Sequence, residues 1–330
     1  MSDLATLPKA HLHVHLENAV RWSTIVEIGE ANGVVVPHHL ADGTYAFGGF
    51  ADFFDQNHLV RACLRRPEDF HRIAVEYCED EAAQGTRYAE VSFTAAAHGE
   101  RLGDLAMPLE AVLAGLAEGR AQFGLETSML LDHSRRRSVE RAWCTVELAI
   151  AHADRGVAGV GLAGDEAHPV EPFAEVFGAA RAEGLHCVHH AGEAEGAASI
   201  RSAIHVVGAE RLGHGIRVLD DDELVAEVRD RAIPLEVCPT SNVALGFVAS
   251  FAEHPLPRLI EAGLVVTINA DIPSMIATPL ANEFAKVRDA FGYDDAAMAS
   301  LGRAGVDSSF ASDDLKARLR RDIDAWLAGA

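Results

Sequence analysis

Lysine is nearly absent from this 330-residue chain: only Lys9, Lys286 and Lys316 occur, leaving a long lysine-free middle. Positive charge is scarce as well. Basic residues number 28 against 50 acidic ones, for a net charge of -22. That balance speaks against a nucleic-acid partner, which needs concentrated Lys and Arg to neutralise phosphates. The one basic run, Arg135-Arg136-Arg137, is short and reads as a solvated loop, with contact to an anionic substrate group as the alternative. Five cysteines, an odd count without a C-x-x-C pair, read as reduced and mostly buried thiols of a reducing compartment. No apolar run reaches membrane-spanning length, and the start Met1-Ser2-Asp3 lacks the basic-then-apolar pattern of a signal peptide. A soluble, cytoplasmic protein without membrane partners is the expectation.

Apolar residues make up 49% of the chain, enough for a sizeable core. The length suits one α/β barrel or two ordinary domains. No repeat, low-complexity tract or Pro/Ser-rich linker divides the sequence, so residues 1–330 read as one domain. Short β-branched runs bounded by Gly, Pro and polar residues predict eight strands, at 10–17, 86–93, 125–132, 157–163, 185–190, 210–214, 233–238 and 264–270. Amphipathic stretches at 139–154, 171–183, 197–207 and 221–231 predict helices between them. Alternation of this kind predicts a (β/α)8 TIM barrel, with extra helices in the long segment 20–82 between strands 1 and 2. Barrel chemistry sits at the C-terminal ends of the strands. Reactive residues are therefore expected there.

Strand 1 ends in His13-Val14-His15, strand 5 in His190-Ala191-Gly192-Glu193, strand 6 in Gly213-His214-Gly215 and strand 8 in Asn269-Ala270-Asp271. His13 and His15 share a face because strand side chains alternate with a period of two. His11 shares that face but lies deeper, as a core histidine, and His189 points to the opposite face. Three neutral imidazoles and one carboxylate can hold Zn²⁺ with a position left for water, whose pKa falls towards roughly 7. A further histidine can take the proton, and a nearby glutamate can deliver one to the electrophile. Barrel hydrolases with two metals commonly bridge them by a carbamylated lysine at the end of strand 4. Here that strand runs into Gly161-Leu162-Ala163-Gly164-Asp165-Glu166, so a single zinc per chain is expected.

These segments, with Pro8-Lys9-Ala10-His11-Leu12-His13-Val14-His15-Leu16-Glu17, Arg211-Leu212-Gly213-His214-Gly215, Glu236-Val237-Cys238-Pro239-Thr240-Ser241-Asn242 and Asn269-Ala270-Asp271-Ile272-Pro273, resemble the adenosine deaminase family of the amidohydrolase barrels. They occur in family order across about the whole chain. The resemblance implies hydrolytic deamination of an adenosine-like 6-aminopurine, with ammonia released. It implies His13, His15, His190 and Asp271 as zinc ligands, Glu193 as the acid at the purine N1, and His214 as the base. It places the Gly164 N–H at the ring N3, with His15, Glu17 and Asn18 beside the substrate. Phe50 and Phe53, from the aromatic cluster Tyr45, Phe47, Phe50, Phe53 and Phe54, become candidates for a hydrophobic gate. Glu236 and Ser241 are candidates to support His214.

Three positions depart from the family pattern. Ile272 stands where members usually carry an aspartate that hydrogen-bonds N7. Asn18 replaces a glycine, next to a Glu17 one methylene longer than the usual acid at the ribose 5′-hydroxyl. Gly161 occupies a position where many members have aspartate. These departures bring in adenine, 6-aminodeoxyfutalosine or a modified or 7-deaza purine nucleoside as alternative substrates. A different amidohydrolase reaction, or an inactive ligand-binding relative, fits the residues less well because the acid and base are retained. A homo-oligomer is left open.

Overall fold

Each apolar run bounded by glycine or charge becomes a strand, and successive strands pair in parallel because a helix returns the chain between them. A computed structural model describes residues 2–36 and 50–329, without the side chains of residues 50–52 and 54–56. Tyr45 and Phe47 lie outside the described residues, as do the side chains of Phe50 and Phe54. The strands are β1 (Lys9–His15), β2 (Thr86–Phe93), β3 (Glu126–Ser134), β4 (Val157–Ala163), β5 (His186–Ala191), β6 (Arg211–His214), β7 (Leu235–Val237) and β8 (Val266–Ile268). They form one parallel sheet in sequence order, the TIM barrel expected from the alternation.

The seam between β8 and β1 brings the site together. His15 N–H donates to the Asp271 carbonyl at 2.9 Å, and Asp271 N–H donates to the His13 carbonyl at 2.9 Å. Asn269 Oδ1 accepts from the Leu12 and His13 N–H groups at 2.8 and 3.1 Å. Fully buried His11 completes the seam, its Nε2 accepting from Ala270 N–H at 3.0 Å and its Nδ1 lying 3.1 Å from Glu81 Oε1. Buried polar groups need such partners. His11 is therefore a structural histidine, as its depth suggested.

Among the described residues, the inserted segment holds three α-helices: α1 (Trp22–Ala31), α2 (Phe50–Cys63) and α3 (Pro67–Ala83). Pro67 starts α3, where its missing N–H costs nothing, and Arg66 with Asp69 forms a reciprocal cap. The helices between strands are α4 (Ala95–Leu102), α5 (Met107–Phe123), α6 (Val139–Ala151), α7 (Ala174–Ala182), α8 (Ala197–His205), α9 (Asp222–Asp230), α10 (Pro239–Ala244) and α11 (Leu256–Glu261). After β8 come α12 (Leu280–Phe291), α13 (Asp295–Ser308) and α14 (Asp313–Ala328). The core packs outward-facing strand residues such as Leu12, Val14, Val91, Leu131 and Leu212 against buried helix residues such as Phe70, Val146 and Phe177. His189 joins that layer, 4.6 Å from the Phe177 ring, with Nε2 3.3 Å from the Val207 carbonyl. No described helix is long and apolar enough to cross a membrane.

Strand β1 ends two residues earlier than the pattern predicted. It ends at His15, and Leu16–Asn18 turn as a 3-10 helix. The turn breaks the alternation that would have carried Glu17 along the histidine face.

Candidate active site

His13, His15, His190, His214, Glu193 and Asp271 converge at the C-terminal mouth of the barrel. His15 Nε2 lies 3.3 Å from both His190 Nε2 and Asp271 Oδ1, and His13 Nε2 lies 3.6 Å from the same carboxylate oxygen. His13 forms one close group of potential metal donors with His15 and His190, and another with His214 and Asp271. His13 Nε2 is buried without a hydrogen-bond partner, a costly state that a metal ion would relieve. Burial disfavours a charged ring, yet the carboxylates of Asp271 and Glu236 outweigh it and push His13 up to about 10. The cluster thus calls for positive charge. Its three imidazoles and one carboxylate are the donor set zinc takes in hydrolytic sites.

Local backbone geometry serves this convergence. His214 and Asp271 adopt left-handed φ values of 65° and 60°, which cost non-glycine residues energy and turn both side chains at strand ends. Gly213 lets His13 approach β6, since a Cβ there would lie 2.8 Å from His13 Cε1.

Carboxylates hold the outer nitrogens of two histidines. Glu236 Oε2 sits 2.9 Å from His13 Nδ1, and Asp132 Oδ2 sits 3.1 Å from His15 Nδ1. Such partners set tautomer and ring orientation for metal binding. Glu236 is itself held by Arg211 Nε at 2.7 Å, and Ser241 Oγ donates to Asp271 Oδ2 at 2.6 Å. Glu236 and Ser241 therefore brace His13 and Asp271 rather than His214. Asp132 was not apparent from the sequence, yet it resolves the oddity at Gly161. The two residues are partners across β3 and β4, and a Cβ on residue 161 would fall 2.1 Å from Asp132 Oδ1. Glycine leaves the space that the neighbouring strand's carboxylate fills.

Glu193 and His214 form a second unit. Asn242 Nδ2 donates to Glu193 Oε1 at 2.8 Å and lies 3.2 Å from His214 Nδ1, while Asn242 Oδ1 lies 3.2 Å from His254 Nε2. Burial, reinforced by the charges of Asp271 and Glu166, raises the Glu193 carboxyl well above the ordinary range, which favours its protonated form. Burial and the neighbouring His13 pull His214 down to about 3, leaving a neutral ring. One group is poised to give a proton and the other is free to accept one. Glu166 fixes the loop beneath Glu193, accepting from the N–H groups of Gly192, Glu193 and Ala194 at 2.8, 2.8 and 3.1 Å. Buried Arg135 donates to the carbonyls of His190, Glu166 and His168. The basic run is thus no solvated loop: Arg135 satisfies carbonyls that the strand ends leave open, and Arg137 pairs with Glu100 at 2.6 Å.

A cavity of about 740 Å³, counting its open mouth, lies above these groups. His15, Asn18, Phe53 and Gly164 line it together with Glu193 and His214. Glu17 and Ile272 are not among its lining residues, contrary to their expected places beside the substrate. The 3-10 turn sends Glu17 inward, where its carboxylate accepts from Thr94 N–H at 3.1 Å and lies 3.3 Å from His98 Nε2. Those partners, aided by Arg61, outweigh burial and hold it at about 2. Ile272 is 1% exposed and packs in the core.

Residues 8–326 match the family model described as adenosine deaminase. The chain is 36% identical over 330 residues to the adenine deaminase of Rhodospirillum rubrum, covering 98% of this chain and 97% of the relative. It is 36% identical over 336 residues to the aminodeoxyfutalosine deaminase of Streptomyces coelicolor, covering 98% and 87%. Among solved structures, the adenine deaminase of Arthrobacter aurescens superposes with a TM-score of 0.92 at 31% identity, over 97% of this chain and 99% of the other. An amidohydrolase of Burkholderia ambifaria with bound Zn superposes with a TM-score of 0.90 at 28% identity, over 99% and 94%.

Proposed function

This chain belongs to the adenosine deaminase family, and from that premise we propose that it hydrolyses the exocyclic C–N bond of a 6-aminopurine, with one zinc ion held by His13, His15, His190 and Asp271. It is a hydrolase of cyclic amidines. The observation that carries the reading is the Glu193–Asn242–His214 unit, a carboxyl group and an imidazole joined by one amide beside the cluster of potential metal donors.

When bound, zinc would supply Lewis acidity that makes water a nucleophile near neutral pH. This chain's own groups do the remaining work. Glu193 donates its proton to the ring nitrogen next to the reacting carbon, which draws electrons from that carbon and makes it electrophilic. His214 accepts the proton released from water and holds it for the departing amine. Asn242 keeps the two groups in register, and Glu166 fixes the backbone that carries Glu193. Asp132 and Glu236 hold His15 and His13 with their inner nitrogens facing the centre. Gly164 lines the cavity and offers its backbone to the purine edge.

Adenosine is the less favoured substrate within this class. Glu17, which the family resemblance would place on a ribose 5′-hydroxyl, is occupied by Thr94 and His98. Adenine and 6-aminopurines with other N9 substituents, 6-aminodeoxyfutalosine among them, fit better. The chain serves as one catalytic domain, and its five unpaired cysteines suit a cytoplasmic compartment. Ammonia release should be measured over adenine, adenosine and 6-aminodeoxyfutalosine with wild type and Glu193→Gln. The variant should keep its metal and lose at least about 100-fold in kcat, within the range for general acids. Near-wild-type turnover would remove Glu193 from the role of acid.

A further inference from the structure

Helix α2 presents Phe53, Asn57 and Arg61 to the cavity, at the i, i+4, i+8 spacing that shares one helix face. Asn57 Oδ1 accepts from Asn18 Nδ2 at 3.3 Å, which ties that face to the turn after β1. Thr94, just beyond β2, lines the same cavity. β1 and β2 lie across the barrel from β5 and β6, which carry Glu193 and His214. A purine ring held by the acid and base therefore extends its far substituent towards Asn18, Thr94 and Arg61.

Arg61 is half-buried, and a guanidinium remains charged at any physiological pH. Its basic neighbours are already engaged. Arg101 donates to the Leu64 carbonyl and contacts His98, and Arg137 pairs with Glu100. Among the described residues, no carboxylate lies within 4.0 Å of Arg61. The carboxylate it feels, Glu17, is bonded to Thr94 and His98 instead. Among the described residues Arg61 is the guanidinium that lines the cavity, in a chain whose net charge is -22. A half-buried guanidinium that faces a cavity with no described carboxylate paired to it requires a reason.

We propose that Arg61 is a specificity residue that receives an anionic group, phosphate or carboxylate, on the substituent of the purine remote from the reacting carbon. This rests on the deaminase reading for the placement of the ring, and it narrows the substrate from a bare base to an acidic purine derivative. The cavity runs on from Glu193 and His214 to Phe53, Asn57 and Arg61, so a bare base held at the acid and base leaves the α2 side unfilled. A charged, forked donor is the group that recognises such oxyanions.

Calorimetric titration of the zinc-loaded protein with hypoxanthine, inosine, inosine 5′-monophosphate and inosine 5′-carboxylate tests this. At least one anion should bind wild type 10- to 100-fold more tightly than inosine, and whichever does so names the phosphate or the carboxylate. Arg61→Met, which keeps the aliphatic stem, should erase that preference while changing hypoxanthine and inosine affinity less than about threefold. Arg61→Lys should retain part of it. Equal binding of inosine and both anions by wild type overturns the proposal without any variant being needed. So does an anion preference that survives Arg61→Met. Selective anion binding without deamination of any aminopurine would sink the reaction reading and leave the subsite standing; deamination without anion selectivity would do the reverse.

Discussion

Asp132 offers the sharpest test of how this barrel holds the proposed metal ligands. Its carboxylate lies 3.1 Å from His15 Nδ1 and is 4% exposed, in the space that a side chain at Gly161 would claim. Removing it by Asp132→Ala leaves His15 free to rotate and its Nδ1 without a partner. Loss of a carboxylate behind a metal-binding histidine typically weakens metal affinity by 10- to 100-fold, which is about 1.4–2.7 kcal/mol. An unsatisfied buried imidazole nitrogen adds about 1–3 kcal/mol of lost stability. Because residues 132 and 161 are register partners on adjacent strands, the carboxylate should be transferable. Gly161→Asp alone should fail, as its Cβ would meet Asp132 Oδ1 at 2.1 Å. In an Asp132→Gly background that obstacle is gone, and only the Val188 carbonyl, 3.1 Å from the new Cβ, must give slightly. The double variant should recover metal affinity to within about fivefold of wild type. Competition against a chromophoric chelator measures zinc affinity, and urea unfolding of the metal-free proteins isolates the stability part. Wild-type zinc affinity in Asp132→Ala would refute the assignment. A double variant no better than Asp132→Gly would refute the exchange between strands.

Ile272→Asp places a carboxylate in the apolar core rather than against the ligand, so it should cost about 3–5 kcal/mol in urea unfolding and bring no gain in adenosine kcat/KM. Unchanged stability with a tenfold gain on adenosine would mean that residue 272 faces the substrate. Lys9 is fully buried at the start of β1, its Nζ donating to the Leu4 and Leu7 carbonyls at 2.6 and 2.7 Å, and burial pulls it down to about 7 against the attraction of Glu81. Between pH 7 and about 10.4 the unfolded chain binds the extra proton, so this group's unfavourable contribution is complete below pH 7 and is relieved as pH rises. Wild type should therefore gain about 2 kcal/mol over Lys9→Met between pH 7.5 and 9.0, at about 1.4 kcal/mol per unit, and parallel unfolding curves would contradict the burial argument.

Much of the molecule is legible before any coordinates. The eight strands follow from short β-branched runs between helical stretches, and all eight occur within a few residues of their expected bounds. The ends moved where a turn competed with the strand pattern, as at His15, after which Leu16–Asn18 coil. The residues at the mouth followed from a rule of the fold, that strand ends face one another, applied to His13, His15, His190, Glu193, His214 and Asp271. Glu17 and Ile272 could not be placed in this way. Both follow strand ends directly, and a single change of backbone direction decides whether such a side chain faces the cavity or the core.

By itself, the sequence determined the barrel and which histidines and carboxylates gather at its mouth, because periodicity and residue type are local properties that survive into any compatible fold. Tertiary structure alone decided which groups hold those residues in place. Asp132 reaches His15 from β3, Glu236 reaches His13 from β7, Asn242 links Glu193 to His214, and Arg61 enters the cavity from a helix inserted after β1. None of these pairings has a sequence spacing to reveal it. They arise because closing the sheet brings side chains from distant strands within hydrogen-bonding distance, where burial makes every missing partner costly.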